Sequence, residues 1–183
     1  MSVKNLNQDD YLSDYSKFFE HDLWPFVISF LNTTDGLSSN RQYFLAGNGA
    51  SAAVASHLAN DMTKALGCRA HTFHDPAHIT CFANDFGYQK WLAESIHNFV
   101  DEGDVVILIS SSGRSQNILN AAEAAVQRKA ILVALTGPRP DRKIVKLAKC
   151  HLSVQSNVYN VVECCHMAAL TAAVDSVNLI TID

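Results

Sequence analysis

No apolar run in the sequence is long enough to cross a bilayer. The first ten residues are polar, so no secretory signal is expected there. Internal repeats at solenoid spacing and low-complexity tracts are both missing. Charge is scarce as well: Asp, Glu, Lys and Arg make up 17% of the chain and the net charge is -4. Such a surface has no broad positive field to draw nucleic acid or an anionic membrane, so an anionic ligand must be held by local chemistry. The five cysteines, Cys68, Cys81, Cys150, Cys164 and Cys165, fit no zinc ribbon, Cys-x-x-Cys pair or disulfide framework. Cys164 and Cys165 are adjacent, which disfavours a strain-free bridge between them. They read as small apolar helix residues of a reducing compartment. These absences predict a soluble cytoplasmic protein with neither a membrane nor a direct nucleic-acid partner.

What is present is enough for one core. A length of 183 residues suits a single domain, with a helical arm over residues 1–40 and an α/β body over 41–183. Residues 8–32 place Tyr11, Tyr15, Phe18, Phe19, Leu23, Phe26, Val27, Phe30 and Leu31 close to a 3.6-residue repeat. Pro25 starts a second helix or kinks the first. Such an aromatic arm must either cover the sheet of its own domain or join an oligomer interface. From Gln42 onward, strand and helix patterns alternate. Strands are expected at residues 43–46, 69–73, 104–109, 130–135 and 150–154. Helices are expected at 51–66, 116–128 and 159–179, with short helical pieces up to Asn98. Alternation of this kind implies a doubly wound parallel sheet of about five strands with helices on both faces.

Two loops at the carboxyl ends of strands carry the chemistry, which is where such sheets bind ligands. The first is Gly47-Asn48-Gly49-Ala50-Ser51-Ala52. Its glycines allow close backbone approach, and the helix behind it offers free N–H groups. It lacks the Gly-Lys-Ser/Thr ending of a Walker loop, and residues 71–75 meet the acidic requirement of a dinucleotide fingerprint only loosely, so no nucleotide cofactor is expected. The second is Ser110-Ser111-Ser112-Gly113-Arg114-Ser115. A helix cap uses one serine, whereas four hydroxyls beside a helix N-terminus make a cradle for phosphate.

These two loops, together with the run from His78 to Tyr88 that contains Asn84-Asp85-Phe86-Gly87-Tyr88, resemble the sugar isomerase (SIS) domain family, and within it the bacterial phosphoheptose isomerases. The resemblance runs from about Gln42 to the end and extends to the aromatic arm, implying a homotetramer. It implies that Ser51, Ser110, Ser112 and Ser115 bind phosphate and that Asn48 and Asp85 bind the sugar. Gly49 and Ser111 belong to the same two loops and join the substrate-binding set.

The resemblance also implies a His and a Glu one helical turn apart after the first loop, and a Gln and a His two turns apart on the last helix. These four bind zinc in some members, and the Glu and the last His act as base and acid. Here they fall on His57, Asp61, Glu163 and Thr171, while an arginine expected near the phosphate falls on Ala65. Asp61 shortens the carboxylate's reach by one methylene, and Thr171 is no general acid at neutral pH. The expected catalytic residues are therefore Asp61, as base, and Glu163. His57, Asp61 and Glu163 form a donor set suited to a divalent ion such as Zn2+. His71 and His74 are expected on the loop surface, and His78 within the family block. The resulting expectation is an aldose–ketose isomerase taking sedoheptulose 7-phosphate towards surface-polysaccharide precursors. The alternatives are an isomerase of another phosphosugar, or a non-catalytic relative like the family's tetrameric protein that binds the bacterial replication initiator.

Overall fold

The computed structural model describes residues 7–179; the first six residues, part of the polar stretch read above, and the last four lie outside them. Five strands form one sheet: β1 Gln42–Gly47, β2 Arg69–Thr72, β3 Val105–Ser110, β4 Ile131–Thr136 and β5 Cys150–Ser153. All neighbours are parallel, in the order β2-β1-β3-β4-β5. Parallel strands need crossovers, and helices supply them: α3 Ala50–Leu66, α4 Pro76–Phe86, α5 Trp91–Phe99, α6 Gln116–Gln127 and α7 Arg142–Leu147, while α8 Tyr159–Val177 follows the last strand. The strand boundaries expected from sequence shift by about a residue. Asp104 shows why, for its carboxylate accepts the Gln42 and Asp101 amides at 3.1 and 2.9 Å and ties the ladder's end instead of joining it.

Successive strand residues point to opposite faces, so the near-continuous apolar strands feed two cores. Tyr43, Leu45, Val105, Ile107, Ile109, Val133 and Leu135 pack under α3, α8 and the N-terminal arm. Phe44, Ala46, Val106, Leu108, Leu132 and Ala134 pack under α5 and α6. The sheet is thus covered on both sides, as the alternation predicted.

The arm comprises α1 Gln8–Lys17, a wide π turn over Phe18–Asp22, and α2 Leu23–Thr33. The π turn sits one turn ahead of Pro25, which has no N–H for the His21 carbonyl and whose ring crowds it. The helix widens there and continues. Phe18, Leu23, Phe26, Val27 and Phe30 are buried in the first core, and Ser156 Oγ donates to Asp14 Oδ2 at 2.6 Å. The arm therefore covers its own sheet. It still leaves Leu12, Phe19, Trp24 and Ile28 exposed. Among the described residues, no helix is long and apolar enough to cross a membrane.

Candidate functional site

The chain leaves β1 towards β2 on one side and β3 on the other, so the sheet's topological switch point lies between β1 and β3. The two loops singled out above leave the carboxyl ends of these neighbouring strands. At the first, a Cβ on Gly47 would come within 2.7 Å of the Ser51 backbone, so only glycine lets α3 begin this close to β1. Ser51 is thereby buried at the first turn of α3, where its own amide donates to the Asn48 carbonyl and those of Ala52 and Ala53 to the Gly49 carbonyl.

In the second loop, Ser110 Oγ accepts the Gly113 amide and Ser112 Oγ accepts the Arg114 amide, each at 3.2 Å. Each hydroxyl meets the loop through a lone pair and keeps its O–H to donate elsewhere. Ser115 occupies the N-cap position of α6, but its side chain makes no capping bond. The loop is held from behind by the segment after β4. Gly137 N–H donates to the Ser111 carbonyl and Asp141 N–H to the Gly113 carbonyl, both at 3.0 Å. A side chain at Gly137 would run into that Ser111 carbonyl.

The two loops enclose a pocket of about 110 Å3 lined by Asn48, Ser51, Ser110, Ser111, Ser112, Ser115, Tyr159 and Glu163. The structure thus brings together six of the eight expected substrate-binding residues. Gly49, at φ +58°, contributes the turn into α3 and does not line the pocket. Asp85 lies apart: it is exposed at the end of α4, paired with the Asn84 amide at 2.9 Å. Tyr88, three residues on, reaches the pocket instead, its hydroxyl donating to Asn48 Oδ1 at 3.0 Å. Asn48 is further locked by a reciprocal amide pair with Asn117, at 2.9 and 3.0 Å. Sequence reasoning missed Asn117. The available signal was an amide among the apolar positions of α6, where Asn117 is buried beside Ile118 and Leu119.

Glu163 joins this pocket to a wider groove of about 670 Å3 between α3 and α8, lined also by His57, Asn160 and Cys164. Ser111 Oγ donates to Glu163 Oε1 at 3.4 Å. His57 pairs with Asp61 across one helical turn at 3.1 Å. Asp61 therefore faces His57, and the three candidate metal ligands do not converge. Among the described residues, no group of three or more His, Cys, Asp or Glu side chains could hold a metal ion. The residues of this chain do not fit the expected Zn2+ set. Thr171 turns its hydroxyl back onto the Met167 and Ala168 carbonyls at 3.0 and 3.2 Å, offering no replacement ligand.

None of the other histidines lines the serine pocket or the groove. His74, expected on the surface, sits partly buried behind the first loop, with Nε2 3.5 Å from the Gly47 amide and Nδ1 3.3 Å from Ser56 Oγ. Burial lowers its pKa. His78 stacks on Phe82 and meets Ser95 Oγ at 2.8 Å, while His71 is exposed against Phe44. His166, on α8, is fully buried with Nε2 3.0 Å from the Thr136 carbonyl and Nδ1 unpartnered. Burial drives its pKa down to about 4. Of the vicinal pair, Cys165 packs in the core, where burial pushes its thiol up to about 12. Cys164 does not follow the packing expectation: it is exposed and lines the groove.

Residues 30–137 match the SIS domain family. The chain is 30% identical to a phosphoheptose isomerase of Glaesserella parasuis over 80% of its own length and 76% of that protein. It is 34% identical to a phosphoheptose isomerase of Cytophaga hutchinsonii over 66% of this chain and 65% of that one. Among solved structures, a phosphoheptose isomerase from Neisseria gonorrhoeae superposes with a TM-score of 0.85 at 25% identity, covering 94% of this chain and 95% of that one. One from Francisella tularensis shares the fold with a TM-score of 0.84 at 21% identity, over 94% of each chain. By its sequence match and its fold, the chain belongs to the SIS domain family.

Proposed function

We infer that the protein is a phosphosugar aldose–ketose isomerase of the phosphoheptose type, acting on sedoheptulose 7-phosphate for surface-polysaccharide precursors. The observation that carries this reading is the serine-lined pocket opening, through Glu163, onto the α3–α8 groove. The relatives named above act on phosphoheptoses by name, and their likeness covers most of the chain.

Isomerisation moves a proton between adjacent carbons and passes through an enediol. Fixing the phosphate between Ser51 and Ser110–Ser115 anchors one end of the sugar and leaves the other to run along the groove. Glu163 is the carboxylate lining both spaces, so it takes the proton from one carbon and returns it to the next. The His57 imidazole, oriented by Asp61, stands in the same groove to shuttle the proton of the carbonyl and hydroxyl oxygens. Asp61, expected as the base, then acts through His57. Asn48, with its Oδ1 taken by Tyr88 and Asn117 and one N–H by Asn117, keeps its other N–H for the substrate and has little freedom to lose on binding.

The exposed Phe19, Trp24 and Ile28 of the arm support assembly with further copies, a homotetramer in this reading.

The test is an NMR time course with sedoheptulose 7-phosphate, run with and without Zn2+. Aldose signals are expected to grow in, and Glu163→Gln should cut kcat about 100-fold or more while substrate affinity stays close to wild type. Thr171 favours a second reading, a phosphosugar-binding regulator, since binding tolerates the loss of an acid. Saturable binding without turnover in either condition would select it.

A further inference from the structure

A second cavity, of about 190 Å3, adjoins the serine pocket. It shares Ser111, Ser112 and Tyr159 with that pocket and no lining residue with the α3–α8 groove. The phosphate pocket therefore has two neighbours, one built for the sugar and one of different character. Two arginines, Arg114 and Arg139, are among the residues that line the second. Arg114 Nε donates to the Arg139 carbonyl at 2.8 Å, and an Arg139 Nη donates to Asn157 Oδ1 at 3.4 Å. These bonds restrain both side chains and leave most of their N–H groups unused.

Neither arginine is in an ion pair among the described residues, so no carboxylate neutralises them there. The carboxylate bonded at the cavity's edge, Asp14, is engaged by Ser156. In a chain of net charge -4, two arginines side by side at a cavity that adjoins the serine cradle concentrate positive charge there. Guanidinium forks match the oxygens of phosphoryl groups two at a time.

We propose that this cavity is a second anion subsite, taking a further phosphoryl group beside the one held by the serines. This rests on the serine loop being the phosphate cradle. The second group belongs either to the same ligand or to a separate small oxyanion. In both cases it lies away from the reacting carbons, because those must reach Glu163.

Isothermal titration of the full chain with inorganic orthophosphate and with pyrophosphate tests the proposal. Pyrophosphate binding about tenfold or more tighter than orthophosphate points to one ligand with two phosphoryl groups. Two orthophosphates per chain without that advantage point to a separate anion. In either case Arg114→Gln combined with Arg139→Gln removes the gain, while Arg69→Gln, elsewhere on the surface, does not. A single orthophosphate site, with a pyrophosphate affinity indifferent to the double substitution, overturns the subsite and leaves the cradle standing. A wild-type chain that binds no orthophosphate removes the cradle and the subsite together. None of these readouts depends on turnover, so failure of the isomerase reading shows separately in the NMR time course.

Discussion

His166 has its imidazole shut away from water, one nitrogen on the Thr136 carbonyl and the other with no partner. Its folded pKa, about 4, lies below the value of 6.5 that it regains on unfolding. Between those values the unfolded chain binds the proton and the folded chain does not, so stability is full above pH 6.5 and falls as pH drops towards 4. From pH 7 to pH 5, this residue alone should remove roughly 2 kcal/mol in urea unfolding, and His166→Gln should flatten that slope. The lowered pKa values of His74 and His151 act in the same direction. The serines were legible in the sequence because four hydroxyls exceed what a turn requires. Asn117 and His166 were not, because a single polar residue in a helix looks the same whether it faces water or locks a site from inside. Replacing Asn117 with Leu should free Asn48 to rotate, raising KM for the phosphosugar several-fold with a smaller change in kcat; an unchanged KM would show that Asn48 needs no lock.

At the scale of elements, the strands were readable because a strand buried on both faces is apolar throughout. The six-residue helix α7 was not, since it has no room for an amphipathic period. What starts it is Asp141, whose carboxylate accepts the Lys143 amide at 2.7 Å. Asp141→Ala should cost about 1 kcal/mol through loss of the cap, measured as a fall in denaturation midpoint. The π turn was half legible, for Pro25 announced a disturbance but not its form. For Asp61 the i, i+4 spacing gave its placement beside His57, and the structure has that contact.

For the whole molecule, the alternation of elements implied a parallel sheet with two covered faces, and the structure has both. The strand order could not be read, because it depends on which side of β1 each crossover takes. The arm satisfied the prediction that its aromatics need a surface, with one stripe buried at home and another left bare. If the bare stripe joins copies, Trp24→Asp with Ile28→Asp should shift sedimentation towards smaller species without unfolding the chain, as far-UV circular dichroism would show. An unchanged sedimentation coefficient would place any assembly elsewhere.

The serine loop is fastened to the segment between β4 and α7 by the Gly137 and Asp141 amides, in bonds of backbone to backbone. Its shape is therefore inherited from the sheet and does not await the arrival of a phosphate. Encounter should then be limited by diffusion and desolvation, with no slow rearrangement, so stopped-flow binding should give one phase whose rate rises linearly with ligand concentration. The same two amides should exchange with deuterium slowly, and at nearly equal rates in the free and the bound protein.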